Sequence, residues 1–230
     1  MYPPGLLSTG GSYPSRVITM GRLHLTQRQW RVYLVAWLVA LAAIMGTLAG
    51  IVLPRLLAPA PRPALGGGLV MDARQVAAPD FTLRDQTGAT VSLRQLRGTV
   101  LALTFLDTQC QNLCPLQASF LGSAQSDLGR RAPFDVVIIS VRPDADTPAN
   151  ITAFAVAHGL GTHYLWLTGT PPDLQRVWNS YGVAVQAAQG DLAHSSVIYL
   201  IDRSGYERVG FEDVPGTAAF ETDVQILDQS

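Results

Sequence analysis

Hydrophobic and polar residues divide the chain into one long apolar segment and a body in which short apolar runs alternate with mixed ones. Residues 32–53 are consecutive positions without a charge. At 1.5 Å per residue, a helix over this segment spans about 33 Å, enough to cross a hydrocarbon core of about 30 Å. Trp30, Tyr33 and Trp37 lie near its start, where aromatic rings favour the membrane interface. The pattern predicts one transmembrane helix.

The body has the pattern of an α/β domain. Two alternating runs around Thr87-Gly88 predict a β-hairpin over residues 81–93. Residues 100–106 and 134–141 are nearly continuous apolar runs, which is typical of strands buried on both faces. Further strands are predicted at 164–167, 195–202 and 206–211, and helices at 115–129, 148–159, 172–181 and 217–228. Strands that alternate with helices and end in a hairpin predict an α/β sandwich with a central mixed sheet.

Charge separates the leader from the body. Residues 1–71 contain six Arg and no acid, whereas residues 72–230 contain ten Arg and all 17 acids, a net charge of −7. Four of the six leader Arg precede the span, so the positive-inside rule predicts a cytoplasmic N-terminus and an exported body. A cleaved signal peptide is the alternative, although its apolar region normally has only about 7–15 residues. The absence of a basic excess in the whole chain argues against a nucleic-acid partner.

These patterns predict a membrane protein with one extracytoplasmic domain. The linker between the span and the domain is rich in Pro and Gly, which favours an extended tether. The predicted segments are a cytoplasmic tail at 1–31, a transmembrane helix at 32–53, the linker at 54–76 and the extracytoplasmic domain at 77–230.

The two cysteines of the chain are the first candidate site. Cys110 and Cys114 follow directly on the predicted strand 100–106, and ligand and redox sites concentrate at such strand ends. Their spacing predicts two side chains on one helical face, where they can form a disulfide or bind one metal ion. A helix N-terminus is also expected to lower the pKa of a thiol. A purely stabilising disulfide is the alternative, but so short a loop gains little from closure.

Histidine is the second candidate ligand type, and His24, His158, His163 and His194 are the four in the chain. We expect His158 and His163 to be surface residues, because they flank a Gly-containing loop. His194 directly precedes the predicted strand 195–202. Taken alone, a loop histidine is more often exposed than a ligand, so its assignment depends on the motifs around it.

The order of motifs along residues 77–211 resembles the Sco (SenC) family. The motifs are FTLRDQTG, LTFLDTQCQNLCP, SVRPDADTP, LTGTP, YGV and AHSSVIYLIDRSG. The most specific element is Cys-x-x-x-Cys-Pro combined with a distant histidine before a YLID strand. The resemblance implies a thioredoxin-like fold behind one N-terminal membrane anchor. It also implies a copper chaperone for the binuclear copper site of cytochrome c oxidase, in which Cys110, Cys114 and His194 bind one Cu(I) or Cu(II) ion per chain.

The resemblance also implies partners, and the chain departs from the family pattern in places. The implied partners are the membrane, the copper-site subunit of cytochrome c oxidase, and a thiol reductant or a copper donor protein. Gln109, Gln111, Arg142 and Ala193 stand where the family usually has His, Pro, Asp and Asp. None of these changes removes a ligand. The Asp missing beside His194 matters most, because such carboxylates orient metal-bound histidines.

The chemistry of the residues leaves two further functions open. Two thiolates and an imidazole suit Cu(I) and can hold Cu(II), whereas Zn(II) usually takes a fourth ligand, and none is evident. Asp107 is expected to be an ordinary strand-end carboxylate rather than a group that supports a metal site. The alternatives to a metallochaperone are a thiol–disulfide oxidoreductase with Cys110 and Cys114 as the redox-active pair, and a peroxiredoxin-like peroxidase that includes Thr108. A reduced cysteine pair can bind copper and an oxidised pair cannot.

Overall fold

The computed structural model describes residues 26–57, 64–71, 76–188 and 191–230. It divides the chain into two compact units, residues 1–61 and residues 62–230. The described part of the first unit is helix α1 (Gln27–Leu57). Its segment Gln27–Leu53 is long and apolar enough to cross a membrane, and no side chain in its most apolar stretch is buried. The predicted apolar helix is therefore present and extends a few residues beyond the predicted bounds at each end.

The second unit is built on a mixed β-sheet. Its strands are β1 (Leu69–Val70), β2 (Thr82–Arg84), β3 (Thr90–Ser92), β4 (Val100–Leu106), β5 (Phe134–Ser140), β6 (Tyr164–Leu167), β7 (Val185–Ala188), β8 (Asp191–His194), β9 (Val197–Ile201) and β10 (Glu207–Glu212). Its helices are α2 (Leu113–Leu128), α3 (Pro148–Ala157), α4 (Pro171–Ser180) and α5 (Thr217–Asp228), with a short 3₁₀ helix at Leu93–Leu96. The main sheet has the order β1-β10-β9-β4-β5-β6. Strands β4, β5 and β6 are parallel, and β9 and β10 run antiparallel to their neighbours.

Apolar side chains cover both faces of this sheet. Helices α2, α3 and α5 pack on one face, and α4 with the β2–β3 hairpin packs on the other. All seven residues of β4 are buried, because alternate side chains of a strand point to opposite faces and both faces are covered here. The mixed α/β sandwich predicted from the periodicity is confirmed.

One element that carries a candidate residue was not predicted. His194 is the last residue of β8, which forms a two-stranded hairpin with β7 and pairs His194 with Val185. The prediction that His194 lies in a loop is therefore wrong. The sequence of this hairpin lacks the alternation of apolar and polar residues that indicates a strand. Its base is closed by Ser195, whose backbone N–H donates to the Ala184 carbonyl over 3.1 Å.

The loop that follows β4 is fastened to the neighbouring strands by the buried carboxylate of Asp146. Its Oδ1 accepts a hydrogen bond from the Thr108 backbone N–H at 2.8 Å. Its Oδ2 accepts from the Ser140 hydroxyl at 2.6 Å and from the Trp166 indole N–H at 3.2 Å. Burial raises the pKa of Asp146, and these donors oppose the rise. The carboxylate thus joins the ends of β5 and β6 to the segment that leads to Cys110.

We predict that Asp146→Ala lowers the free energy of unfolding by about 2–4 kcal/mol, because buried donors lose their acceptor. Urea unfolding of the full chain in detergent, followed by tryptophan fluorescence, measures the change. Asp144→Ala, at an exposed position two residues away, is the matched control and should shift stability by less than about 0.5 kcal/mol. Equal unfolding midpoints for the two variants would contradict this role of Asp146.

Candidate metal centre

The cysteine pair lies at the carboxyl end of β4, as predicted, but only one cysteine is helical. Helix α2 begins at Leu113, so Cys114 lies in its first turn, whereas Cys110 lies in the preceding loop. The expected placement of Cys110 near the strand end and of Cys114 on the following helix is confirmed, but the spacing does not put both side chains on one helical face. Pro115 occupies the first turn, where its missing N–H removes no intrahelical hydrogen bond. Both thiols are free, Cys110 is half-buried and Cys114 is fully buried.

The fold brings His194 into contact with Cys114, eighty residues away in sequence. The His194 Nε2 atom lies 3.5 Å from the Cys114 sulfur. The His194 Nδ1 atom lies 3.0 Å from the Ser195 carbonyl oxygen. A carbonyl can only accept a hydrogen bond, so Nδ1 carries the ring proton and the Nε2 lone pair faces the sulfur. This is the tautomer in which a histidine can bind a metal ion through Nε2.

A buried glutamine holds the two chain segments of this contact together. Gln117 lies one helical turn after Cys114 and is fully buried. Its side-chain amide donates hydrogen bonds to the Ser196 hydroxyl at 2.9 Å and to the Asp213 carbonyl at 3.0 Å. Helix α2 is thereby bonded to the segment that directly follows His194. The sequence analysis missed this residue, although a glutamine three positions after Cys114 lies on the same helical face.

Asp107 is the second group that the structure adds to the site. Its side chain is fully buried, and one carboxylate oxygen belongs to a set of potential ligand atoms, with Cys114 and His194, that lie within 4.8 Å of one another. The Oδ1 atom accepts from the Gln109 backbone N–H at 2.7 Å and lies 3.9 Å from Arg142 Nε. Among the described residues, Oδ2 has no hydrogen-bond partner. The expectation that Asp107 is an ordinary strand-end carboxylate does not describe this environment.

The remaining candidate residues lie at different distances from this centre. Cys110 lies close enough to Cys114 to help raise the pKa of that thiol, but Cys110 is not part of the 4.8 Å set. His163 is exposed and forms an ion pair with Asp135 at 3.6 Å. His158 packs against Phe154. Neither of these two histidines belongs to the set, and His163 is exposed as predicted, whereas His158 is half-buried.

The Cys114 thiol is strongly biased towards its protonated form. Burial raises the pKa of Cys114 far above the usual range of thiols, and the hydrogen bond with Cys110 and the negative charge of Asp107 act in the same direction. The Asp107 backbone N–H opposes this rise. The expected lowering of the pKa by the helix N-terminus is therefore overridden at Cys114. A neutral thiol here donates its hydrogen towards His194 Nε2, and a bound cation would take the place of that proton.

We predict that the two thiols react with an alkylating reagent at very different rates. The thiolate is the reactive form, and burial together with the raised pKa of Cys114 makes it both scarce and inaccessible. At pH 8, Cys110 should react at least about tenfold faster than Cys114. Mass spectrometry of the native chain, with Cys110→Ser and Cys114→Ser as single-thiol references, measures both rates. Equal rates would show that Cys114 is not shielded.

The donor atoms of this centre fit a soft or borderline metal ion. Sulfur and imidazole nitrogen are the donors that copper and zinc prefer in proteins. A carboxylate oxygen without a hydrogen-bond partner is rare in a protein interior, so the orphaned Asp107 Oδ2 agrees with a site that can accept a cation. The arrangement can therefore bind a metal through its sulfurs, or exchange with a partner's disulfide can oxidise its two thiols to a disulfide and reduce the partner.

Comparison with known proteins gives one consistent match. The family described as SCO1/SenC matches residues 70–216. The SCO1 protein homolog of Bacillus subtilis is 28% identical over 166 residues, which cover 66% of this chain and 86% of the relative.

Two solved structures share the fold of the second unit. Arabidopsis thaliana ScoI with copper bound superimposes with a TM-score of 0.60 and 24% identity, over 67% of this chain and all of that chain. BsSco, described as a member of the Sco family of cytochrome c oxidase assembly proteins with a disulfide switch, gives a TM-score of 0.61 and 23% identity over 69% and 97% of the two chains. The predicted thioredoxin-like fold is confirmed.

Proposed function

Because this chain belongs to the SCO1/SenC family, we propose that it is a membrane-anchored copper-binding protein for the assembly of cytochrome c oxidase. It delivers copper to the binuclear copper site of the oxidase or maintains the thiols of that site. The observation that carries the proposal is the 3.5 Å contact between Cys114 Sγ and His194 Nε2. A copper site needs soft sulfur donors and an imidazole nitrogen with a free lone pair, and here the Nε2 lone pair of His194 lies beside the Cys114 sulfur.

Cys110, Cys114 and His194 are the ligands in this proposal, and they hold one copper ion per chain. Copper binding releases the protons of both thiols, since only thiolates are strong ligands. The thiolates favour Cu(I), and the imidazole extends the range of the site to Cu(II). The hydrogen bond between Ser195 and the other ring nitrogen keeps Nε2 available.

The redox state of the cysteines controls copper loading. A Cys110–Cys114 disulfide has no thiolate to offer, so oxidation and copper binding exclude each other. The disulfide switch described for BsSco supports this coupling. The full set of partners in the proposal is the membrane, the copper-site subunit of the oxidase, and a thiol reductant or a copper donor protein.

The position of His194 favours copper binding over the two enzyme alternatives. A thiol–disulfide oxidoreductase needs only an accessible thiol and a second thiol beside it, and the half-buried Cys110 and the buried Cys114 would serve that function as well as copper binding. A peroxiredoxin-like site would need Thr108 beside an activated cysteine. The Thr108 hydroxyl instead donates to the Ala145 carbonyl over 3.4 Å, and the Thr108 backbone N–H donates to Asp146. The hydroxyl and the N–H of Thr108 therefore both fasten the loop. Exchange of a disulfide, however, has no use for the imidazole of His194.

Helix α1 is the anchor in this proposal, with the N-terminus in the cytoplasm and the second unit outside it. The Arg residues on the N-terminal side of the span support this orientation. The length of the apolar segment favours an anchor over a cleaved signal sequence. An extracytoplasmic position would also expose the cysteines to an oxidising compartment.

We predict that His194→Ala separates copper binding from thiol chemistry. The variant should still form and reduce its disulfide, because exchange needs only the two sulfurs. Its Cu(II) affinity should fall at least about tenfold with the loss of one ligand, and the thiolate-to-copper absorption should disappear. Cys110→Ser and Cys114→Ser should each abolish both properties. Copper titration and a thiol count on the same full-length variants measure these effects.

His163→Ala is the control for this experiment, because His163 is an exposed histidine outside the centre. It should bind copper as the parent does. A His194→Ala variant that retains the Cu(II) affinity of the parent would exclude His194 as a ligand. The oxidoreductase would then become the better interpretation of the cysteine pair.

The topology is tested with reporters fused to each end of the chain. We predict that a reporter active only outside the cytoplasm is active at the C-terminus and inactive at the N-terminus, because the leader holds the excess of positive charge. Removal of Arg16, Arg22, Arg28 and Arg31 should weaken this bias. A C-terminal reporter that is active only in the cytoplasm would contradict the proposed location.

A further inference from the structure

The buried carboxylate of Asp107 is not explained by its protein contacts. The side chain has no solvent exposure, and one of its oxygens has no hydrogen-bond partner among the described residues. An isolated charge in a protein interior is unfavourable unless an ion or hydrogen bonds compensate it. The other oxygen has a backbone donor, Gln109 N–H, and the Arg142 guanidinium at 3.9 Å. Compensation is therefore available on one side of the carboxylate only.

The position of Asp107 indicates what compensates the other side. A carboxylate oxygen, the Cys114 sulfur and a ring nitrogen of His194 all lie within 4.8 Å of one another. Two donors bonded to the same ion at about 2.0–2.3 Å lie at most about 4.6 Å apart. The three side chains therefore need little movement to reach one ion. They come from the end of β4, from the first turn of α2 and from the end of β8, so three separate elements converge at this point.

We propose that Asp107 is a fourth ligand of the centre, an oxygen donor that selects a divalent ion over Cu(I). The proposal rests on the proposed function, since it adds a ligand to the same site. Two thiolates, an imidazole and a carboxylate form the four-donor set that Cu(II) and Zn(II) accept, whereas Cu(I) favours soft donors and gains little from a carboxylate. No electron is transferred in this step. The metal replaces the protons of the two thiols, and Asp107 adds a bond from its carboxylate oxygen.

The balance of charge favours a divalent ion as well. Two thiolates and the Asp107 carboxylate would place three negative charges around one ion, and the Arg142 guanidinium lies 3.9 Å from Asp107. A divalent ion neutralises more of this negative charge than a monovalent ion does. Uncompensated charge is costly there because the effective dielectric constant is low. Both the type of donor and the charge of the site therefore favour the same oxidation state.

The test compares Asp107→Asn with the full-length parent in detergent. The amide keeps the size of the side chain and removes its charge. Affinities for Cu(II), Zn(II) and, under reducing anaerobic conditions, Cu(I) are measured by competition with chromophoric chelators. The affinities for Cu(II) and Zn(II) should each fall at least about tenfold, while the Cu(I) affinity should change by less than about threefold. Zn(II) adds a readout that cannot oxidise the thiols.

Two control variants distinguish ligation from a structural role. Asp135→Asn changes a half-buried carboxylate that pairs with His163 outside the centre, and it should leave all three affinities unchanged. Arg142→Gln removes the positive partner of Asp107 and should keep or strengthen Cu(II) binding, because the site becomes more negative. If Asp107 acted only through its ion pair, Arg142→Gln would reproduce the loss seen in Asp107→Asn, and that result would overturn the proposal.

The remaining outcomes separate this proposal from the proposed function. If the parent binds no copper in either oxidation state, the proposed function fails. If the parent binds copper and Asp107→Asn keeps the parent's affinity for Cu(II) or for Zn(II), Asp107 is not a ligand, although the proposed function stands. A variant that loses Cu(I) and the divalent ions equally would show that Asp107 maintains the site as a whole, which also overturns the role proposed here.

Discussion

The burial of strand β4 on both faces is the constraint on which the rest of the second unit depends. Its seven residues have almost no solvent exposure, because α2, α3 and α5 cover one face of the sheet and α4 with the β2–β3 hairpin covers the other. The chain leaves this strand inside the protein rather than at its surface. Asp107, the first residue after β4, is therefore buried as completely as the strand itself. A polar side chain in that position requires partners, and the loop, Arg142 and the candidate metal centre are arranged around it.

The centre is held from two sides by the hydrogen bonds of two buried side chains, Asp146 and Gln117. Asp146 binds the loop between β4 and α2 to the ends of β5 and β6. Gln117 binds α2 to the segment after His194. Buried polar networks of this kind favour one arrangement when every member is satisfied, because the loss of any partner leaves another group unpaired. Asp146 thus positions the loop that carries Cys110, and Gln117 joins the helix of Cys114 to the segment after His194.

The sequence predicts much of the fold, because buried strands and amphipathic helices have distinctive periods. The strand at 100–106 agrees with β4, and the position of the cysteines at its end follows from the order of elements. The β7–β8 hairpin was not predicted, since its residues lack that period, and the start of α2 was placed two residues late. The buried state of Asp107 was also missed. The burial of Asp107 depends on the direction in which the chain turns after β4. That direction cannot be predicted from the identity of a single residue.

The two cysteines differ in exposure, so a partner protein reaches the cysteine pair from the side of Cys110. Cys110 is half-buried in a loop and Cys114 is fully buried beside His194, so an approaching protein meets the Cys110 sulfur first. In the proposed function, the Cys110 thiolate would attack a disulfide of a partner protein and release one partner thiol, and Cys114 would then displace the second partner thiol and leave a Cys110–Cys114 disulfide. In the same proposal, a metal donor or acceptor would exchange ligands at Cys110 while the ion stays bound to Cys114 and His194. Copper exchange and thiol–disulfide exchange would therefore both take place at the Cys110 sulfur. A partner bound to that sulfur for one of these reactions would block the other.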